Sequence, residues 1–572
     1  MHGATCRHHC GKSERGRRRP QGRRRYHSYM RFTPLLVAAC LWMAAAAATP
    51  DPGTAAPPEA LRARLATLAA GDRVTIAGDE LVSHRVVPRV YEATGMRLLW
   101  QDSARFDALL AAIREAADDG LRPEDYHLGA LERLATDATR GADADLLATD
   151  AYVMLLYDLY LGKVDPLSIE PNWKLPGRPL REQQALDFVV AALASGRIGE
   201  AAARVRPHHW LYEHGRAALA RYRAIARAGG WGTVGRGPKL EPGARDVRVP
   251  ELRRRLAASG DYTGPVGDSP EYDVALVAAV RVFQRRHLLT DDGEVGASTL
   301  RELNVPAESR IDQLRINLER GRWVLYEIGD EDLVVVDIAG YGVRYLRNRA
   351  VIWRGRAIVG RPYRQTPVFR AEIEDVVFNP TWTVPPGILA RDVLPQMQAG
   401  EDVLTHKRLK VFDRAGAPVD PAGVRWSDYT AANFPYVLRQ DAGDDNSLGR
   451  VKIDFPNPYL VYLHDTPARA LFERSQRTFS SGCIRVERPL ELAELLLADP
   501  VRWDAAAIRA AVDAGTTRTV RLARKVPVLL IYWTADEDAD GRVVFKRDVY
   551  GRDARLLRAL DGRFRFGTRI KA

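Results

Sequence analysis

Of four cysteines, Cys6, Cys10 and Cys40 fall before residue 49, and only Cys483 stands in the body of the 572-residue chain. That body therefore has no internal disulfide and no cysteine-based metal site. A lone thiol is either buried and inert or reactive, and its neighbours decide which. Cys483 follows Ser480, Ser481 and Gly482 and precedes Ile484 and Arg485. Upstream, across a polar, turn-capable loop, His464 closes the β-prone run YLVYLH. Acyl transfer by a thiol needs this kind of company. A free thiol is only a few per cent thiolate, so an adjacent imidazole serves as base and ion-pair partner. Gly482 lets backbone N–H groups approach a developing oxyanion, with Ser481 beside it. His464 must be held in one tautomer, for which Asp465 offers a backbone carbonyl and a carboxylate. Tyr462, two residues before His464 on a strand, faces the same way and lines the cleft. Arg485, two beyond Cys483, is placed to hold a substrate carboxylate. His464 precedes the cysteine, which disfavours papain-type proteolysis.

These residues need a β framework. Short β-rich runs occur at 332–338, 342–346, 350–353, 356–359 and 374–378, split by turn residues. Pro380, Pro385 and Pro386 end that pattern. The stretch 387–446 is helical and polar, then loop-rich, and reads as an insertion. Strand pattern returns at 450–454 and 459–463, Pro489 opens a helix, 526–533 is a terminal strand, and 543–550 continues into a tail.

Before the β region, 59–240 reads as mostly helical. Phe106, Leu109, Leu110, Ile113, Ala116 and Ala117 recur at helical spacing, with Ser103 as N-cap and Gly120 and Pro123 as the stop. Similar faces occur at 151–161 and 211–226. His208, His209 and His214 cluster at a spacing that fits no metal motif and read as ordinary histidines. From 242 to 306 comes a compact helical unit, with a helix through VRVPELRRRLAASGDY, a second over 271–287 and a third opened by Thr299. Residues 49–58, rich in Pro, Ala and Thr, form a linker.

The net charge of +12 suggests nucleic acid at first. Ten Lys/Arg and one acid lie before residue 49, however, and the remaining chain carries only +3 with no basic tract. Nucleic-acid binding is not indicated. The basic run Arg17–Arg25, a second start at Met30 and the apolar run Phe32–Ala48 ending in small residues read as a secretory signal. The apolar run is marginal for an uncleaved membrane anchor, which takes about 20 residues. VAAC at Val37–Cys40 resembles a lipoprotein cleavage box, though Leu-Trp-Met after it is unusually apolar, and Arg24-Arg25 is a weak twin-arginine candidate. Each route implies export.

HDTPARALFERSQRTFSSGCIRV resembles the L,D-transpeptidase signature: a histidine, a loop, then Ser/Thr-x-Gly-Cys, an apolar residue and Arg or Asn. Many relatives have His where this chain has Ser481, a departure shared by the family's large-scaffold branch. Phe283-Gln284, Leu288, Asp292-Gly293, Gly296 and Thr299 resemble the small three-helix peptidoglycan-binding domain. NPTWTVP at Asn379–Pro385 and FPYVLRQ at Phe434–Gln440 are similar to the same branch. The resemblance implies an α+β multidomain chain: an N-terminal signal or anchor (1–48), a helical scaffold (59–240), a peptidoglycan-binding domain (242–306), a β-sandwich-like catalytic domain (330–535) with a lid at 387–446, and a tail (536–572). It implies that Cys483 attacks the carbonyl of residue three in a donor tetrapeptide stem, that D-Ala leaves, and that a diamino-acid amine on a second stem captures the thioester as a 3–3 cross-link. Trp382 becomes a candidate pocket wall, no metal or cofactor is required, and other cell-wall synthesis enzymes are candidate partners. The implied location is the periplasm, with the membrane met only through residues 32–48. With water, a free D-amino acid or a protein lysine as acceptor, the same residues give an L,D-carboxypeptidase, an exchange enzyme or a lipoprotein-attaching enzyme. A non-catalytic wall-binding scaffold is the remaining class, against which the complete His464, Gly482 and Cys483 set speaks.

Overall fold

The computed structural model describes residues 58–135, 141–170, 173–175, 177–329, 331–538 and 540–563. The expected signal or anchor at 1–48, with Cys6, Cys10 and Cys40, lies outside the described residues, as does all but the end of the expected linker. Among the described residues no helix is long and apolar enough to cross a membrane.

Nine strands build the main sheet: β1 (Leu333–Asp337), β2 (Gly342–Arg347), β3 (Ala350–Gly360), β4 (Phe369–Phe378), β5 (Val451–Asp454), β6 (Leu463–His464), β7 (Thr478–Ser480), β8 (Ile484–Val486) and β9 (Arg518–Ile531). Their order is β7-β3-β8-β6-β5-β4-β9-β1-β2, and β2 pairs back onto β3. The sheet closes on itself, with β7 attached outside the ring. β6 and β8 run parallel, as do β9 and β1; β3 is antiparallel to both β2 and β8. Every residue of β1 is buried, as expected of a strand covered on both faces.

Two expectations about strands, and one about the tail, are corrected. The runs 350–353 and 356–359 are one strand. Gly355, read as a breaker, stays in it because the backbone at Glu487 comes within 2.9 Å of where a Cβ would sit. The run 459–463 is strand only at Leu463. Asn457 curls the chain before it, Nδ2 donating to the carbonyls of Phe455 and Val461 at 2.7 Å each and Oδ1 accepting from Tyr459 N at 3.1 Å. The tail is no appendage: α10 (Asp553–Leu560) packs its Leu556 and Leu560 into the main core.

The helical front is built around α2 (Ala142–Leu161), buried on nearly all sides. α1 (Ser103–Glu115) packs beside it. Its cap is Asp102 rather than Ser103, because the Asp102 carboxylate accepts from Ala104 N at 2.8 Å. α3 (Trp210–Arg227) follows, with His209 Nδ1 accepting from Leu211 N at its start. α4 (Val249–Ala258), α5 (Val274–Arg286) and α6 (Ala297–Leu303) make the small unit, which has its own core of Val249, Leu252, Leu276, Val280, Phe283 and Leu303. Thr299 lies inside α6, whose N-cap is Gly296. The motif residues of this unit have structural work to do. Gln284 Oε1 accepts from Gly293 N at 2.8 Å, and its amide donates to Asp292 Oδ1 and the Glu294 carbonyl at 2.9 Å each. Gly293 takes φ +79°, and a Cβ there would meet Val277 at 2.8 Å.

α7 (Ala307–Val324) joins the pieces. Along it, Arg310 pairs with Glu302 at 2.6 Å, Arg315 with Asp561 at 2.6 Å and Arg320 with Asp553 at 2.7 Å. The Arg322 guanidinium, fully buried against Glu319, also donates to the Tyr212 hydroxyl at 2.7 Å and the Asp119 carbonyl at 2.8 Å. One apolar core runs unbroken from the helical front through α7 into the closed sheet, α8 (Pro489–Leu497) and α9 (Ala505–Asp513).

The insertion is a subdomain with its own small sheet. Lys410–Phe412 pairs with Val437–Gln440, which pairs with Trp382–Thr383. The subdomain thus starts at Trp382, before the expected boundary at 387. Its core holds Trp382, Val393, Leu394, Met397, Phe434 and Leu438. Helical residues run from Pro386 to Gln398, interrupted by a π-helical stretch at Leu389–Val393.

Candidate functional site

Cys483 sits where the chain turns from β7 into β8. The parallel pairing of β6 and β8 sets Leu463 opposite Ile484 and His464 opposite Arg485. One step back, Ile484 N donates to the Tyr462 carbonyl at 3.1 Å, which brings Tyr462 alongside Cys483. The Tyr462 and His464 rings meet edge to face at 5.6 Å. The strand register, rather than their nearness in sequence, thus assembles Tyr462, His464, Cys483 and Arg485.

The turn itself is tied at several points that sequence reasoning missed. Gly482 has φ +123°, a conformation side-chain-bearing residues rarely adopt. Its N–H donates to Ser480 Oγ at 3.1 Å, and its carbonyl accepts from Thr366 Oγ1 at 2.9 Å. Ser480 Oγ in turn donates to the Cys483 carbonyl at 2.6 Å. Thr366 is fixed by Tyr550, whose hydroxyl accepts from Thr366 N at 3.1 Å and donates to the Gly360 carbonyl at 2.8 Å. The Gly482 N–H is thus engaged with Ser480, and the residue supplies the backbone angle of the turn that leads into Cys483. Among the described residues no acceptor takes the Cys483 N–H, which leaves it for an oxyanion. No motif marks Thr366 or Tyr550 in the sequence. Both are distant in the chain and found only by folding it.

The electrostatics differ from the expected ion pair. His464 is buried, and its Nδ1 lies 2.5 Å from the Asp465 carbonyl, so Nδ1 carries the proton and Nε2 the lone pair. Burial, and then the positive Arg485, push its pKa down to about 3. Cys483 is half-buried, and desolvation by the cleft walls raises its thiol above the ordinary value. The Tyr462 backbone N–H and hydroxyl, Lys452 and Arg485 oppose that rise. The thiol points at the Leu460 carbonyl, 3.7 Å away. Imidazole and thiol are therefore both neutral at rest. The Asp465 carboxylate does not touch the ring. It accepts from Arg450 N at 3.0 Å, while the backbone carbonyls of Asp465 and Leu448 act on the ring.

These groups open onto a cavity of about 680 Å³. Tyr462, His464, Ser481, Cys483 and Arg485 line one side; Trp382, Arg391 and Lys407 of the insertion line another. Arg364 bridges the two. Its guanidinium pairs with Asp392 in the π-helical stretch, Nη2 to Oδ1 at 2.7 Å, and donates to Ser481 Oγ at 3.0 Å. Arg485 Nε is buried with no hydrogen-bond partner. Among the described residues no group of His, Cys, Asp and Glu is placed to hold a metal ion. The arrangement can perform thiol-based acyl transfer: a nucleophile, a neutral base of fixed tautomer, an N–H for the oxyanion and cations for an anionic substrate.

Comparison with known proteins fits this chemistry. Residues 331–520 match the family model of an L,D-transpeptidase catalytic domain, residues 245–303 that of a "Putative peptidoglycan binding domain" and residues 85–219 that of a scaffold domain. A Haemophilus influenzae protein named "Putative L,D-transpeptidase" is 36% identical over 223 residues, which is 39% of this chain and 45% of that protein. The match thus spans less than half of that relative's length. Among solved structures, an L,D-transpeptidase of Stackebrandtia nassauensis is similar over 52% of this chain and 96% of its own, at 12% identity and a TM-score of 0.20. L,D-transpeptidase 1 of Mycobacterium tuberculosis is similar over 36% and 62%, at 16% identity and a TM-score of 0.14. At such TM-scores neither likeness bears on mechanism.

Proposed function

We propose that this chain, whose residues 331–520 match an L,D-transpeptidase catalytic domain and 245–303 a putative peptidoglycan-binding domain, joins peptidoglycan stem peptides by 3–3 cross-links through a thioester on Cys483. The observation that carries this reading is the shared cavity of Cys483 and His464, with the His464 tautomer set by the Asp465 carbonyl.

In this reading, Sγ attacks the carbonyl of residue three of a donor tetrapeptide while His464 Nε2 takes the thiol proton. Charge separation then arises only as the C–S bond forms, where the cleft's fixed dipoles and charges can stabilise it. The oxyanion faces the Cys483 N–H. The peptide C–N bond breaks, and D-Ala leaves with the proton returned by His464. A diamino-acid amine of a second stem attacks the thioester, His464 accepts its proton, and Sγ departs as the new amide forms. Arg485 and Tyr462 line the donor side, and Trp382 forms part of the opposite wall. The setting is the periplasm of an exported protein, where other cell-wall synthesis enzymes are its candidate partners.

Incubation of the enzyme with purified disaccharide-tetrapeptide, followed by mass analysis, tests this. Cross-linked dimer with release of D-Ala is the expected product. Tripeptide alone makes the protein an L,D-carboxypeptidase, exchange of the terminal residue makes it an exchange enzyme, and either would displace the cross-linking reading.

A further inference from the structure

The charge lining the cleft is lopsided. Arg361, Arg364, Arg391, Lys407 and Arg485 face it, against a single carboxylate, Asp392, which Arg364 already neutralises. The remaining four cations have no carboxylate partner among the described residues. The Arg361 guanidinium donates only to the neutral Tyr363 hydroxyl, at 2.9 Å. The four come from two sides. Arg361 follows β3 and Arg485 lies in β8, so both are fixed relative to Cys483; Arg391 and Lys407 belong to the insertion. Like charges gathered without counter-charges repel one another and destabilise the empty cleft, and a ligand that brings the missing negative charge relieves that. Held by two different parts of the chain, Arg361 and Arg485 by the closed sheet and Arg391 and Lys407 by the insertion, they match a ligand with several carboxylates better than one carrying a single charge.

We infer that this cleft selects peptide stems by their free carboxylates, with Arg391 and Lys407 of the insertion reading an acidic group of the stem. The inference rests on the transpeptidase reading for the identity of the peptide, and it adds which stems are taken. A stem whose side carboxylates are amidated keeps its shape and loses the charges that Arg391 and Lys407 would meet.

Binding tests this apart from turnover. The full chain with Cys483→Ala is titrated with a tetrapeptide stem bearing free carboxylates and with the same stem amidated at its side carboxylates. The acidic stem should bind about ten-fold more tightly or better, since hydrogen bonds to charged groups exceed neutral ones. That advantage should shrink with salt. In Arg391→Gln/Lys407→Gln on the same background, affinity for the acidic stem should fall about ten-fold, with that for the amidated stem unchanged. Equal affinity of the two stems, or an unchanged preference in the double variant, overturns the inference. If the preference is found and wild-type enzyme makes no dimer, tripeptide or exchanged product, the transpeptidase reading fails and the carboxylate selection stands. Dimer formation without any preference has the opposite meaning.

Discussion

At the scale of single residues, Cys483→Ala should abolish cross-linking and covalent labelling by carbapenem-type β-lactams while the fold survives, read by intact-mass analysis and circular dichroism. His464→Ala should slow acylation by about 10²–10⁴-fold, the usual range for general-base help. The depressed His464 pKa makes a sharper statement. A base that titrates near 3 keeps its lone pair throughout the ordinary pH range. The acylation rate should therefore show no His464 limb near pH 6.5, and a fall through that value, lost in His464→Gln, would refute the neutral pair. The same shift has a stability sign. Between pH of about 6.5 and about 3 the unfolded chain protonates this residue and the folded chain does not, so stability falls as pH falls. Thermal melts of His464→Asn should show a shallower loss across that window than wild type. The chemical identities of Cys483 and His464 were legible in sequence because residue types and spacing carry them. Their protonation states were not, because burial and the field of Arg485 exist only after β6 and β8 pair.

At the scale of elements, the insertion is tied to the catalytic turn by Arg364, through Asp392 on one side and Ser481 on the other. A π-helical stretch in this place fits a functional contact better than a purely structural one. Asp392→Asn should loosen the insertion over the cleft and admit water to the thioester. The measure is the ratio of tripeptide to cross-linked dimer, expected to rise; an unchanged ratio with the fold intact would mean that the insertion does not exclude water. Replacing 390–440 by a short Gly/Ser linker should move the ratio further the same way. Period-two patterning made the strands readable where one face is buried, as at β2 and β5. It failed at Gly355, where a close backbone approach keeps a glycine in a strand, and at 459–463, where Asn457 overrides β propensity with its own side-chain hydrogen bonds. It also read 387–446 as helix and loop, because the small sheet of the insertion draws on short segments far apart in the chain.

At the scale of the whole molecule, α7 carries the load between the helical front and the closed sheet. Glu319, fully buried, pairs with Arg322 and accepts from Val164 N at 2.7 Å. Removing it as Glu319→Ala strands the Arg322 charge in the interior, at a cost of about 3–5 kcal/mol. Urea unfolding should show that loss in the main transition, because front and sheet share one core. The sequence drew boundaries between these parts from changes in hydrophobic period, which mark where secondary structure changes and say nothing of whether the packing on either side is continuous. That continuity separates two kinds of part. The three-helix unit and the insertion each close around a core of their own, so a recombination event that cuts at their borders exchanges a finished piece. A crossover between the helical front and the closed sheet would instead split one interior in two, and neither parental half would fit a stranger. Over evolutionary time the three-helix unit and the insertion are free to vary by replacement, whereas front and sheet must be inherited together.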